Sequence, residues 1–145
     1  MGTLLVALQF GLLFVLAALA APNVLHGDIP AAAFMLALAS GALAAWTLVH
    51  NRPGNFNIRP APKAHGLLVT TGPYRWIRHP MYTSMLLGAA ALAWPSRPLF
   101  GWVAWSTLAI LLVVKSALEE RWMRAKHPGY ANYMLRSKRF LPWLF

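Results

Sequence analysis

The chain contains no cysteine, only three acidic residues and little charge of either sign. Without cysteine, disulfide bonds and thiolate chemistry are excluded. Charged residues make up 11% of the chain, whereas soluble domains carry roughly 25%. Hydrophobic residues fill 59% of the 145 positions and the mean hydropathy is +0.52. This composition predicts an integral membrane protein.

The scarcity of acids leaves a large positive excess, because 13 Lys and Arg residues oppose three Asp and Glu residues, for a formal net charge of +10. In a soluble protein such an excess would suggest nucleic acid as a partner. Here the cations flank apolar runs, as the positive-inside rule describes. We therefore expect membrane lipids and no nucleic acid among the partners.

Four apolar runs predict an all-α integral membrane protein of about four transmembrane helices. Spanning the hydrocarbon takes about 20 residues, and the third run is slightly short. No linker or repeat divides the chain, so residues 1–145 are expected to form one domain with an uncleaved first helix. The predicted spans cover residues 3–21, 30–49, 80–94 and 98–118, with a loop at 50–79 and a C-terminal arm at 119–145.

The distribution of cations predicts the orientation. Twelve of the 13 Lys and Arg residues lie either in the 50–79 loop or between positions 115 and 139. By the positive-inside rule, both termini should be cytoplasmic, in an inner or plasma membrane. The 50–79 loop and the C-terminal arm should then face each other on the cytoplasmic side.

Smaller features predict how the helices end and pack. The fourth run continues without a breaker to His127-Pro128-Gly129, so its helix should leave the membrane and stop there, before a short segment at 130–136. In the second run, small residues that include Ser40 and Gly41 would permit close helix packing.

Residues 66–82 are the stretch in which the apolar chain turns polar, aromatic and basic. Pro80 suits the first position of a helix, where its missing N–H costs nothing. Four polar side chains, Arg75, Arg78, His79 and Tyr82, then lie around a helix N-terminus, which favours a ligand with negative charge. A positive-inside flank followed by a helix start explains the arginines and the proline equally well.

Glu119 and Glu120 lie near the membrane end of the fourth run, and Lys115 precedes Glu119 by one helical turn. One interpretation is an exposed Lys115–Glu119 ion pair, worth only about 0.3–0.5 kcal/mol. The other is a carboxylate pair that faces the His79 loop and holds the ammonium or ribose hydroxyls of a cofactor. An ionisable residue at membrane depth is a functional candidate by default.

Several of these segments together resemble the isoprenylcysteine carboxyl methyltransferase family, over roughly residues 65–142. The segments are 68–74, 78–82 and Glu119-Glu120 followed by Tyr130 and Tyr133. That family is related to the phospholipid N-methyltransferases and comprises small membrane enzymes that use S-adenosyl-L-methionine. The resemblance implies a cofactor pocket between the cytoplasmic loop and the C-terminal arm. The implied cofactor contacts are Gly66, Leu67, Leu68, Val69, Tyr74, His79, Pro80, Met81, Tyr82 and Glu119.

The same resemblance implies Lys115 and Glu119 as catalytic residues. The family places an arginine where this chain has Lys115, and a lysine lacks the planar fork that grips a carboxylate in two places. The expected reaction is methyl transfer from S-adenosyl-L-methionine to a lipophilic, carboxylate-bearing small molecule or lipidated substrate, with Lys115 orienting the anion. A carboxylate is already ionised near pH 7 and needs no base.

Other functions fit parts of the pattern. A phospholipid amine N-methyltransferase would need a general base, for which His79 and Glu120 are candidates. A non-enzymatic membrane protein could keep the fold, and a sterol-type reductase would bind a nicotinamide cofactor instead. No metal site is expected, because the histidines lack the spacing of metal ligands. These histidines are His26, His50, His65, His79 and His127.

Overall fold

The computed structural model describes residues 2–51 and 67–144, most of them in helices. The predicted cofactor contact Gly66 lies outside the described residues. A 3₁₀-helix at Gly72–Arg75 precedes the third α-helix. The α-helices in the described ranges are α1 (Gly2–Leu25), α2 (Ala31–His50), α3 (Pro80–Ala93), α4 (Pro98–Lys126) and α5 (Tyr130–Arg136).

The helices agree with an all-helical membrane protein. Among the described helices, α1, α2 and α4 are long and apolar enough to cross a membrane. Helix α3 has 14 residues, which gives a length of about 21 Å, whereas the hydrocarbon core is about 30 Å thick. Three helices therefore meet the length of a span, and the predicted third span is a shorter apolar helix.

Two helix ends show what the apolar runs predicted well and badly. Helix α4 continues beyond the predicted span to Lys126 and ends before His127, as predicted. Helix α1 extends to Leu25 with Pro22 inside it, so the predicted end at residue 21 is wrong. A proline disrupts the bond to the preceding turn, but only three residues of α1 follow it, so little helix depends on that bond.

The helices pack with α2 on α3 and α1 on α4, while α3 also contacts α1 and α4. Leu16 of α1 and Leu108 and Leu112 of α4 are fully buried where these helices meet. Large apolar side chains on the outer faces, such as Phe14 and Phe34, remain exposed. Apolar side chains therefore lie both in the core and on the outer surface, as expected for a protein whose outer surface contacts lipid.

Small residues bring α2 and α3 close together at one point. Ser40 Oγ donates a hydrogen bond of 2.7 Å to the carbonyl of Ser84, and a Cβ added to Gly88 would lie 2.9 Å from that hydroxyl oxygen. The predicted close packing is therefore confirmed at Ser40. At Gly41 the prediction is wrong, because a Cβ added there would meet nothing within 4 Å.

Polar contacts connect the chain at each end of the bundle. At one end the Asn23 side-chain amide donates to the carbonyl of Pro95, which joins the end of α1 to the turn between α3 and α4. At the other end Tyr133 Oη donates to the carbonyl of Tyr74 over 2.6 Å. The predicted meeting of the loop before α3 with the C-terminal arm is thus confirmed for the described residues.

Candidate functional site

The C-terminal segment pairs with the chain that enters α3. The amide of Lys138 donates to the carbonyl of Trp76 over 2.8 Å, the amide of Arg78 donates to Lys138 over 2.7 Å, and that of His79 donates to Arg139 over 3.1 Å. These backbone bonds hold residues 137–140 beside residues 76–79. They bring Arg139 and Phe140 to the start of α3.

Pro80 is the first residue of α3, as the sequence predicted, and His79 occupies the N-cap position before it. The backbone of His79 is held by α3 on one side and by the C-terminal segment on the other. Its carbonyl accepts the amides of Tyr82 (3.0 Å) and Thr83 (3.1 Å), and its amide donates to the carbonyl of Arg139. The Thr83 hydroxyl in turn donates to the carbonyl of Phe140 over 2.8 Å. The position of the His79 side chain is therefore fixed by the helix start and by the C-terminal segment together.

Glu120 is the buried centre of the site, with 1% of its side chain exposed. Its carboxylate accepts from Arg78 Nε over 2.8 Å and from Arg139 Nη2 over 2.8 Å. His79 Nε2 lies 3.3 Å from it. A carboxylate buried this far is tolerated only when its charge is compensated and hydrogen-bonded, so we assign Glu120 to holding the site together.

Glu119, one residue earlier, has fewer partners and is more open. Tyr82 Oη donates to one carboxylate oxygen, and His79 Nδ1 lies 3.4 Å from the other, with 19% of the Glu119 side chain exposed. An ionised carboxylate offers about four lone-pair sites. The described donors therefore leave acceptor capacity on Glu119 that a ligand could use.

His79 lies between the two glutamates, with one ring nitrogen facing each. Its ring stacks on Tyr82 at a centroid distance of 5.4 Å. Burial alone would lower the pKa of His79, but the hydrogen bonds to Glu119 and Glu120 outweigh burial and raise it. The imidazolium form has two N–H donors, which is the form that two facing carboxylates favour.

Lys115 lies beneath this cluster, inside the bundle. It is 1% exposed, its Nζ donates to Gln9 Oε1 over 2.7 Å, and the same nitrogen lies 5.2 Å from the centre of the Tyr82 ring. The exposed Lys115–Glu119 ion pair considered from the sequence is therefore wrong. Burial between α1, α3 and α4 directs the ammonium group to Gln9 instead.

The remaining predicted contacts lie in two places. Tyr74 lies close enough to Glu119 for electrostatic interaction, since burial and then the Glu119 charge raise the pKa of Tyr74 to about 12. Pro80 is fully buried, and the sulfur of Met81 lies 3.7 Å from the Ser84 hydroxyl. Leu67, Leu68 and Val69 line a separate cavity of about 290 Å³, together with His50, Thr70 and Thr71.

Three residues of the site were not among the predicted contacts: Arg139, Phe140 and Gln9. In the sequence Arg139 is one of several cations of the C-terminal arm, and Phe140 begins a largely apolar stretch at 140–145. Neither residue carries a local pattern that reveals its partner. Gln9 did carry a signal, because it is a polar side chain inside an apolar run and such residues are rare within spans.

The part of the chain that contains the His79–Glu119–Glu120 cluster matches a known family. Residues 59–128 match the family model of phospholipid methyltransferases. The match covers 70 of the 145 residues and includes His79, Tyr82, Lys115 and both glutamates, but not Arg139 or Phe140. It confirms similarity to membrane methyltransferases, while the narrower resemblance to isoprenylcysteine carboxyl methyltransferases stays a prediction.

A curated relative gives a second, partial match. The cobalt-zinc-cadmium resistance protein CzcN of Cupriavidus metallidurans is 33% identical over 84 residues, which are 57% of this chain and 38% of that protein. The chain thus matches well under half of the relative's length. Within residues 2–51 and 67–144, no group of three or more His, Asp and Glu side chains is placed to hold a metal ion.

Proposed function

We propose that the chain transfers a methyl group from S-adenosyl-L-methionine to a lipophilic acceptor that enters from the membrane. The observation that carries this proposal is the family match, because it covers the segments that build the His79–Glu119–Glu120 cluster. Phospholipid methyltransferases generally use S-adenosyl-L-methionine. Three of the described helices are long and apolar enough to cross a membrane, and a membrane would bring a lipophilic acceptor to the protein.

The residues of the site suit this cofactor. Glu119 is partly exposed and keeps acceptor capacity, which fits an ammonium group or ribose hydroxyls. The neighbouring Tyr74 and Tyr82 would provide aromatic and hydroxyl contacts. Apolar contacts from Leu67, Leu68 and Val69 would require the cofactor to extend from Glu119 into the cavity that these residues line. When bound, S-adenosyl-L-methionine would supply a methyl group from its sulfonium: the acceptor's lone pair forms the new bond to the methyl carbon, the electrons of the broken carbon–sulfur bond stay on sulfur, and S-adenosylhomocysteine is left.

Both candidate general bases, His79 and Glu120, already have hydrogen-bond partners, which favours an acceptor that is ionised before it binds. His79 has a glutamate at each ring nitrogen, and Glu120 is filled by two arginines and His79. Among the described residues of the cluster, neither candidate base is therefore available to take a proton. A carboxylate acceptor needs none, because it is ionised near pH 7 and releases no proton when its methyl ester forms.

For such an acceptor, catalysis consists of positioning and exclusion of water. Holding two reactants in line can supply about 7–11 kcal/mol of the barrier. The cluster is suited to this, because backbone bonds, two arginines and the stacked Tyr82 ring fix His79 and both glutamates. We assign contact with the cofactor to Glu119 and the rigid support of that contact to Glu120.

An amine acceptor is the second candidate, and the family description favours it, since the matched family is that of phospholipid methyltransferases. The partly exposed Glu119 would then be the side chain placed to attract an ammonium headgroup. The amine must lose a proton before or during transfer, so this alternative needs a base that the paired His79 does not offer.

Titration of detergent-purified protein with S-adenosylhomocysteine tests the cofactor. The wild type should bind, and Glu119→Gln should weaken binding by about tenfold or more, the value of one hydrogen bond to a charged group. Asp28→Asn is the matched control, because it removes the only acid in the chain outside the Glu119–Glu120 pair, from an exposed connection. A folded wild type that fails to bind contradicts the proposal and favours a non-enzymatic role.

The bond formed identifies the acceptor. After incubation with methyl-labelled S-adenosyl-L-methionine and native membrane lipids, a methyl ester should release labelled methanol in mild alkali. An N-methylated headgroup should keep its label under the same treatment. Alkali-labile label supports the carboxylate acceptor, and alkali-stable label on an amine lipid supports the alternative.

A further inference from the structure

A buried polar pair links α1 to the site from inside the membrane. Gln9 is 2% exposed and Lys115 is 1% exposed, and they lie on α1 and α4 respectively. Lys115 Nζ donates to Gln9 Oε1 over 2.7 Å. The buried apolar core of the bundle is built largely from Leu and Ala side chains, whereas this pair is a buried polar contact between α1 and α4.

The pair is not explained by stability. Removing an ammonium group from water costs several kcal/mol, and one amide oxygen returns only part of that cost. The Tyr82 ring face gives a second favourable contact, at 5.2 Å from Lys115 Nζ. Two apolar residues of similar size would fill the same space without the desolvation cost.

The contacts of Tyr82 connect this pair to Glu119. One face of the tyrosine is stacked on His79 in nearly parallel planes, 5° apart, and Lys115 lies over its ring. The hydroxyl at the end of the same ring donates to the Glu119 carboxylate. A shift of Lys115 would therefore shift the ring and, with it, the donor that orients Glu119.

We propose that Gln9 and Lys115 are positioning residues that act on Glu119 through Tyr82, and that Lys115 does not itself contact the acceptor. This inference rests on the proposed function, in which Glu119 holds the cofactor. It assigns to α1, which the family match does not cover, a part in setting cofactor affinity. Gln9 accepts a hydrogen bond from the Lys115 ammonium group, and that group lies over the Tyr82 ring. The hydroxyl of the same ring donates to the Glu119 carboxylate.

The first test measures affinity for S-adenosylhomocysteine in Gln9 variants. Gln9→Leu removes the acceptor of Lys115 and should weaken binding by about tenfold, the scale of one charge-assisted hydrogen bond. Gln9→Glu keeps an oxygen at the same distance and should retain affinity near that of the wild type. Ser40→Ala is the control, since it removes another hydrogen bond between helices and should leave affinity unchanged.

The second test separates positioning from general loosening. In a Tyr82→Phe background, which keeps the ring and removes its hydroxyl, Gln9→Leu should cause no further loss of affinity. An equal loss in both backgrounds, or unchanged binding by Gln9→Leu, overturns the inference while the proposed function stands. A folded wild type without binding overturns both.

A third readout requires no cofactor. With 3-fluorotyrosine at position 82, the fluorine resonance should move in Gln9→Leu and stay in place in Ser40→Ala. Steady-state kinetics give an independent check. Lys115→Met should raise the KM for S-adenosyl-L-methionine more than the KM for the acceptor. A resonance that does not respond to Gln9→Leu, or a KM effect confined to the acceptor, contradicts the inference.

Discussion

At the scale of single residues, Glu120 combines deep burial with three cationic neighbours. Replacing it by Gln leaves Arg78 and Arg139 facing a neutral amide in a place that is 1% exposed. Breaking a buried ion pair from one side costs about 3–5 kcal/mol. We expect Glu120→Gln to lower the free energy of unfolding by that amount in detergent, measured by chemical denaturation.

The control for Glu120→Gln is Asp28→Asn, which makes the same chemical change at an exposed position. Surface substitutions usually change stability by about 0.5 kcal/mol or less. Equal effects of the two substitutions would show that the arginines do not depend on Glu120 in the folded protein.

His79 gives a prediction that depends on pH. Its pKa is raised in the folded protein, because its hydrogen bonds to Glu119 and Glu120 outweigh burial. A raised native pKa stabilises the fold fully below the unfolded value of about 6.5. This stabilisation is lost as the pH rises through the raised native pKa.

The measurement is the free energy of unfolding of wild type and His79→Gln at a series of pH values. Their difference should stay constant below about pH 6.5 and shrink above it. The glutamine keeps a polar side chain of similar reach but does not titrate. A difference that grows with increasing pH would mean that the imidazole is held neutral.

At the scale of secondary-structure elements, the C-terminal segment completes the site although it forms no helix of its own. Phe140 is 5% exposed and packs against His79 and Tyr82. Truncating a buried phenylalanine costs about 3–5 kcal/mol. We expect Phe140→Ala to destabilise the protein by that amount and to weaken S-adenosylhomocysteine binding, because the ring lies against both site residues.

Leu141→Ala is the matched control for Phe140→Ala. It truncates the adjacent apolar side chain, which is 51% exposed, and thermal unfolding in the same detergent should change little. If the two variants unfold alike, the segment does not pack on the site as the structure describes.

The elements also show which features a sequence can reveal. Helices α2, α3 and α4 begin within a residue of the predicted starts, because apolar runs and helix-starting prolines are local signals. The cluster at Glu119 and Glu120 could be expected only as carboxylates near the His79 loop. Arg139, a further partner of Glu120, is brought to the cluster by backbone hydrogen bonds between residues 76–79 and 137–140. Backbone bonds of this kind do not depend on particular side chains, so the sequence carries no pattern that predicts them.

The interpretation of Lys115 and Glu119 as an exposed ion pair was wrong for a related reason. A helical repeat places Lys115 and Glu119 on the same face, and the sequence offers no measure of which side that face turns toward. In the fold it turns inward, where Gln9 from a helix 106 residues away in sequence accepts the ammonium group. Contacts of that separation depend on how whole helices pack, and one sequence does not encode that packing locally.

At the scale of the whole molecule, the charge distribution predicts which end of the bundle faces the cytoplasm. Asn23 and Pro95 join the connections at the cation-poor end, whereas α5 and the segment before α3 meet at the basic end. By the positive-inside rule we propose that the basic end, and with it Glu119, faces the cytoplasm. That position would give the site access to a soluble cofactor on one side and to membrane lipids on the other.

The absence of cysteine makes this orientation directly measurable, because single cysteines can be added without removing any. Asp28→Cys and Arg136→Cys place a thiol at exposed positions at opposite ends of the bundle. In intact cells a membrane-impermeant thiol reagent should label Asp28→Cys, and it should label Arg136→Cys only after permeabilisation. The unmodified chain, which has no thiol, should remain unlabelled throughout. The reverse pattern would place the glutamate cluster outside the cell, away from a cytoplasmic cofactor, and would contradict both the orientation and the proposed chemistry.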